Sequence, residues 1–327
     1  MIMSNTKVTI IMYHYVRNLK HSRYPEIKGL DIGLFKEQIR YLKRGYHFIT
    51  MEMLIEAIEN KSSLPNKSVL LTFDDAYADH FEYVFPFLDK LKIQGSFFPP
   101  VKAVTEHTVL DVNKIHFILA SEMNKAKIID EIKVELKKHY NQYNLKSFSF
   151  YFDKLAHKSQ YDTAEVIFIK RLLQVELPEN PRKRITNSLF EKMVGISEES
   201  FSRELYMNFE QLKCMNRNNM HIGSHGNDHY WLGSLSKEKQ KIEIEKSLAF
   251  LSQIGCDLNQ WTMCYPYGNY NDLTIELLKE LKCKLALTTE VDIANIELNN
   301  KFKLPRLDTN DIPKNRNSIT NDWYLKG

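Results

Sequence analysis

Cysteine is scarce in this chain: its 327 residues include four, Cys214, Cys256, Cys264 and Cys283, scattered and never paired as C-x-x-C. A disulfide framework is therefore not expected, and the thiols read as free ones of a reducing compartment. Long hydrophobic runs are missing too, none approaching the ~20 apolar residues that span a bilayer. The stretch Val8 to Met12 is too short for the apolar core of a leader and meets His14 and Arg17 at once, so no leader is expected and the expected location is cytoplasmic. Charge of one sign is also lacking: the formal net charge is +4, with Lys and Arg interleaved among Asp and Glu. That pattern argues against nucleic acid as a partner. No repeat or low-complexity tract interrupts the chain, whose length suits one large domain or a domain carrying an insertion.

What is present is a run, Val69-Leu-Leu-Thr-Phe-Asp-Asp75, apolar or β-branched up to two adjacent carboxylates and preceded by the polar Asn66-Lys67-Ser68. It is too short for a helix and reads as a buried strand. Further strand signals fall at Val8 to Met12, Phe48 to Thr50, Ser96 to Phe98, Met220 to Ile222, Trp261 to Cys264, Leu285 to Thr288 and Phe302 to Leu304. Helical spacing falls between them, with Gly45 as a C′ residue after Phe35, Ile39 and Leu42, and Pro86 breaking the helix expected over 77–91. This alternation implies right-handed βαβ units and a parallel sheet or barrel, and the strands are enough to close one. From about residue 104 to 205 the strand signals stop and amphipathic segments rich in Lys and Glu take over. An all-helical insertion is expected there, its aromatic patch Phe148 to Phe152 packing it onto the core.

At the strand ends stand His14, Asp74 and Asp75, His225 and His229, Tyr265 to Tyr267, and Arg306 with Asp308. In parallel α/β architectures the C-terminal ends of the strands carry the site. Two adjacent carboxylates repel unless a cation or a proton separates their roles, and a bound metal is the natural solution. His225 and His229, with Gly226 and Asn227 between them, lie in a turn that curls both imidazoles round one cation. With one carboxylate they make a two-His, one-carboxylate site that leaves positions for water and substrate. Plainer alternatives stand beside these readings: a core or surface histidine for His14, a helix N-cap for Asp75, an ion pair with Asp308 for Arg306, and packing for Tyr13 and Tyr265.

Thr72-Phe-Asp-Asp75, Ser224-His-Gly-Asn-Asp-His229, Tyr265-Pro-Tyr-Gly268 and Leu304-Pro-Arg306, in that order after Met12-Tyr-His-Tyr-Val16, resemble the polysaccharide deacetylase family, the NodB-homology carbohydrate esterases. The resemblance covers residues 8 to 103 and 206 to 310. It implies an α/β fold, a distorted (β/α) barrel of about seven strands on residues 1–103 and 206–313, with the helical insertion at 104–205 and a tail at 314–327. It also implies metal-dependent hydrolysis of N-acetyl groups on sugars. Asp74 is then the general base, Asp75, His225 and His229 are the metal ligands, and the backbone N–H of Tyr267 helps hold the oxyanion, with Tyr265, Pro266 and Tyr13 beside the substrate. The cofactor is a divalent cation, zinc first, with cobalt, nickel, iron or manganese admitted by the same ligands. The implied substrate is an acetylated amino sugar, met as a sugar nucleotide, a lipid-linked sugar or an oligosaccharide.

Two departures from the common family pattern matter. That pattern has an acid histidine near the C-terminus, and here no histidine follows His229. In a subgroup resembling the poly-N-acetylglucosamine deacetylases of exopolysaccharide systems, the order is circularly permuted and the histidine comes from the first strand, which makes His14 the expected acid. Cys264 stands where many members carry an arginine that orients the base, and Arg306 is the expected substitute. The alternatives are an O-acetyl esterase or non-sugar amide hydrolase on the same barrel, and a catalytically silent carbohydrate-binding barrel.

Overall fold

The structure, a computed structural model, describes residues 5–159 and 162–327. Met1 to Ser4, the start of the stretch read for a leader, and Gln160 and Tyr161 of the helical segment lie outside the described residues. The chain divides into two compact units, the first formed by Met1–Asn18, Gly29–His107 and Arg203–Gly327, the second by Leu19–Lys28 and Thr108–Ser202.

The barrel of the first unit is built on seven of the eleven strands among its described residues: β1 (Lys7–Tyr13), β2 (Ser68–Asp74), β3 (Gly95–Phe98), β4 (His221–Ile222), β5 (Met263–Cys264), β6 (Ala286–Leu287) and β7 (Leu307–Asp308). Parallel ladders join β1 to β2, β2 to β3, β3 to β4, β5 to β6 and β7 to β1. Single parallel bridges, Ser224 with Met263 and Leu287 with Leu304, complete the circuit, so the strands form a distorted (β/α) barrel. Every residue of β2 is buried, as expected of a parallel strand covered on both faces.

Local chemistry explains where the elements differ from their expected bounds. The last strand is Leu307–Asp308, not Phe302 to Leu304, because Pro305 has no N–H to give to a ladder and leaves Leu304 with an isolated bridge. Pro86 splits the expected helix into a π-helical turn, His80–Val84, and an α-helix, Phe85–Leu91, in whose first turn the proline sits. Gly45 is the last residue of the helix Ile32–Gly45 rather than a C′ residue. A Cβ there would lie 2.9 Å from Cε2 of Tyr324, so the glycine permits close approach of the tail helix Asp322–Lys326, whose Tyr324 ring packs edge-on against Tyr46.

The second unit holds helices at Asp111–Ser121, Lys125–Tyr143, Phe148–Leu155, Ala164–Arg171 and Glu179–Val194, and no strand among its described residues. Asn124, Ser147 and Thr163 each accept a backbone N–H as N-caps, which fixes where three of these helices begin. The aromatic patch is the helix Phe148–Leu155, and its rings pack within this unit: Phe148 stacks on Phe152 and meets Phe168 edge-on. Leu19–Lys28 belongs to the same unit because Tyr24 packs edge-on against Phe117 and Phe201, and Lys28 pairs with Asp162.

Candidate active site

β2 ends on Asp74, and the chain leaves it through two residues of left-handed backbone, Asp75 at φ 71° and Ala76 at φ 57°. Such a conformation costs non-glycine residues of order 1–3 kcal/mol each. It is held here by Asp75 N–H donating to Phe98 O at 3.2 Å and by Met207 N–H donating to Ala76 O at 2.8 Å. The turn gives the two neighbouring carboxylates different surroundings. Asp75 caps no helix: helical backbone begins at Ala78, and its carboxylate takes the Tyr77 hydroxyl rather than a backbone N–H.

Asp74 is 1 % exposed and faces a wholly buried Arg306. Nη1 of the guanidinium donates to Oδ1 at 3.0 Å and Nη2 to Oδ2 at 2.8 Å. The fork is itself anchored, Nη1 also donating to Thr72 Oγ1 at 3.0 Å and Nε to Thr288 O at 2.8 Å. Arg306 thus pairs with Asp74 and not with Asp308. Burial pushes the Asp74 carboxyl up, but Arg306, then His225 and His14, more than offset this and hold it at about 2. The thiol of Cys264 donates to Oδ2 at 3.4 Å, and Nε2 of the partly exposed His14 lies 3.8 Å from the same oxygen.

Asp75 faces the histidines. Its Oδ2 accepts the hydroxyl of Tyr77 at 2.7 Å, while its buried Oδ1 has no hydrogen-bond donor, although Nε2 of His225 and of His229 stand 3.5 and 3.3 Å away. Nδ1 of His225 is 2.7 Å from the carbonyl of Cys264, which places the proton on that nitrogen and leaves Nε2 a lone pair. An orphaned carboxylate oxygen converging with two imidazole nitrogens is the donor set of a borderline divalent cation, so these residues fit a metal such as zinc. A second triplet, Asp74, His225 and Cys264, brings ligand atoms equally close. It fits a cation poorly, because Arg306 occupies Asp74 and burial pushes the Cys264 thiol up, away from thiolate.

The histidine loop is tied down from two sides. Glu243, on the helix Lys237–Ile254, accepts the backbone N–H groups of Asn227 at 3.0 Å and Asp228 at 2.8 Å, and Lys102 pairs with Asp228 at 3.0 Å. Gly226 and His229 both take left-handed backbone, at φ 73° and 56°, which curls the loop.

Two of the expected residues are not at the mouth. Tyr13 and Tyr265 are wholly buried, so the substrate-facing role expected for them is corrected to packing. Parallel register sets Tyr13 beside Phe73, on which it stacks at 4.9 Å. Tyr265 stacks on Tyr270 and donates its hydroxyl to Phe302 O at 3.0 Å. Pro266 is buried in the short turn Pro266–Gly268, and the half-buried Tyr267 takes φ 57° within it, its ring edge-on to His229 at 4.6 Å between centroids. Sequence reasoning missed Tyr77, Glu243 and His80. Only Tyr77, two residues beyond Asp75, carried a local signal.

His80 is wholly buried, and its Nε2–H donates to His14 O at 2.7 Å. Burial pushes its pKa down from 6.5 to about 4. An imidazole depressed in the folded state contributes full stability above pH 6.5 and loses it as pH falls toward 4, here about 3 kcal/mol. Urea midpoints taken between pH 7 and pH 4 should fall less steeply for His80→Phe than for the native chain; equal slopes would show that His80 does not set this part of the acid sensitivity.

A seven-stranded (β/α) barrel with ionisable side chains gathered at its strand ends is the build of a barrel enzyme. The family model for polysaccharide deacetylase matches residues 61–162 and 185–286, more than half of the chain, and the chain belongs to that family. Its fold is similar to that of the Streptococcus pyogenes deacetylase PplD, solved in complex with acetate, with a TM-score of 0.56 and 19 % identity over 93 % of each chain. IcaB from Ammonifex degensii has a TM-score of 0.56 at 18 % identity, covering 99 % of this chain and 96 % of its own. The deacetylase domain of BpsB from Bordetella bronchiseptica has a TM-score of 0.54 at 14 % identity, covering 93 % and 96 %. At such identities the likeness is one of fold. No curated protein matches the chain in sequence. Among the described residues, no helix is long and apolar enough to cross a membrane.

Proposed function

We propose that the chain removes an N-acetyl group from an amino sugar in a glycan or glycan precursor, with Asp74 as general base and His14 as general acid. The observation that carries this reading is the asymmetry of the neighbouring carboxylates: Arg306 holds Asp74 ionised, while Asp75 turns an Oδ1 without a hydrogen-bond donor toward His225 and His229. Oδ2 of Asp74 takes the proton of the attacking water. Nε2 of His14, 3.8 Å from that oxygen, gives a proton to the amine nitrogen as the C–N bond breaks. The backbone N–H of Tyr267 would donate to the oxyanion that develops on the acetyl carbonyl oxygen. A divalent cation held by Asp75, His225 and His229, zinc in the first place, supplies Lewis acidity at the acetamide carbonyl and lowers the pKa of the attacking water.

The test is acetate release from N-acetylated amino-sugar oligosaccharides, sugar nucleotides and lipid-linked sugars, run beside O-acetyl esters. His14→Ala should lower amide turnover about 10²–10⁴-fold with the metal content unchanged. Unaltered turnover would remove His14 from the reaction, and a variant that lost amide but kept ester hydrolysis in a native preference for esters would favour the O-acetyl esterase reading. His229→Ala should weaken zinc binding by more than the roughly 10–100-fold typical of losing an outer-shell partner, as measured by competition with a chelating dye. Native affinity in that variant would take His229 out of the ligand set.

A further inference from the structure

The two histidines of the cation site are supported differently. His225 has its outer nitrogen fixed by the carbonyl of Cys264, whereas Nδ1 of His229 is buried with no hydrogen-bond partner in the protein. A ligand histidine is ordinarily oriented by a hydrogen bond from that second nitrogen. What borders His229 instead is aromatic: the Tyr267 ring stands edge-on to it at 4.6 Å, and Trp231 stacks on Tyr267 at 4.5 Å with the planes 11° apart.

Tyr267 itself needs support. It takes φ 57° and ψ 11°, a left-handed conformation unfavourable for a bulky residue, and it lies in the turn whose backbone N–H is assigned to the oxyanion. Trp231 is placed against it by the scaffold rather than by chance. Two residues on, Gly233 N–H donates to Asn269 Oδ1 at 2.8 Å, and Asn271 Nδ2 donates to Gly233 O at 2.9 Å, so the loop carrying Trp231 is docked on the loop carrying Tyr267. The approach is so close that a Cβ on Gly233 would sit 2.9 Å from Asn269 Oδ1 and 3.0 Å from the backbone of Tyr270.

We infer that Trp231 is the positioning residue of the His229 side of the site: by stacking on Tyr267 it keeps that residue in its left-handed turn and, through the edge of its ring, holds the His229 imidazole toward Asp75. The inference rests on the reading of Asp75, His225 and His229 as cation ligands. It takes the place that a hydrogen bond to Nδ1 fills at His225. Aromatic rings orient one another through the stacking and edge-to-face preferences of their quadrupoles, so a flat ring at position 231 should be required, and apolar bulk should not suffice.

The experiment measures zinc affinity of the full chain without substrate, by competition with a chelating dye, for the native chain, Trp231→Ala, Trp231→Leu and Trp231→Phe. Urea unfolding of the metal-free forms runs alongside. The expected result is about a tenfold loss of affinity in Trp231→Ala and Trp231→Leu, with Trp231→Phe close to native and Trp231→Leu unfolding near the native midpoint. Native affinity in both Trp231→Ala and Trp231→Leu would overturn the inference and leave the ligand assignment standing. Equal losses in Trp231→Phe and Trp231→Leu would also overturn it, since the flat ring would not matter. A native chain that binds no zinc would instead overturn the ligand assignment, and this inference with it.

Discussion

Asp74→Asn should cut acetate release from an N-acetylated amino-sugar oligomer by about 10²–10⁴-fold while zinc affinity stays native. The amide keeps the volume of the carboxylate but cannot accept a proton at the pH of the assay. Because Asp74 holds its proton only near pH 2, the proposed base is ionised throughout the working range, and the loss should be nearly independent of pH above about 4. The substitution also leaves the wholly buried Arg306 without its counter-charge, so unfolding must be followed in the same samples. A folded, zinc-loaded Asp74→Asn enzyme with more than a tenth of native turnover would remove Asp74 as the base.

Arg306→Met should destabilise the barrel by about 3–5 kcal/mol. Removing one member of a buried ion pair strands the other charge in a low-dielectric interior, and here three of the guanidinium nitrogens are committed at once, to Asp74, Thr72 and Thr288. Replacing both members by apolar residues of similar size removes the stranded charge as well as the pair. Asp74→Leu combined with Arg306→Met should therefore recover most of the lost stability and none of the activity. Urea midpoints of the two single variants and the double variant complete the cycle. A destabilisation that simply added up in the double variant would mean that the pair is not coupled.

The parts of the site legible in the sequence are those whose partners lie close along the chain. Asp74 and Asp75 are consecutive, and His225 and His229 are four residues apart, so one strand end and one turn bring each pair together. The Arg306–Asp74 fork spans a separation of 232 residues, and only barrel closure makes it a contact. The motif order of the family supplied Arg306 as a candidate, with an ion pair to Asp308 as the plainer alternative. Tyr13 and Tyr265 were misread for a different reason. A run of apolar residues ending in tyrosine does not say which way the last ring points, and register with Phe73 turned Tyr13 inward. The helix Phe148–Leu155 was hidden because its aromatic residues signal strand as readily as helix; the N-cap Ser147 was the available clue. Trp231 carried no signal, since its partner Tyr267 sits on another loop.

The fork has a consequence for how the chain is made. Synthesis runs from the N-terminus, so β2 emerges long before the strand that delivers Arg306 and pairs with β1. In any intermediate that buries Asp74 before that arrival, burial acts unopposed by Arg306 and favours the protonated carboxyl. The proposed base would become competent only when the last strand docks. On the proposed mechanism, hydrolytic competence is a property of the finished ring, and a nascent or C-terminally clipped product that has lost Arg306 would be chemically quiet even with Asp75, His225 and His229 in place.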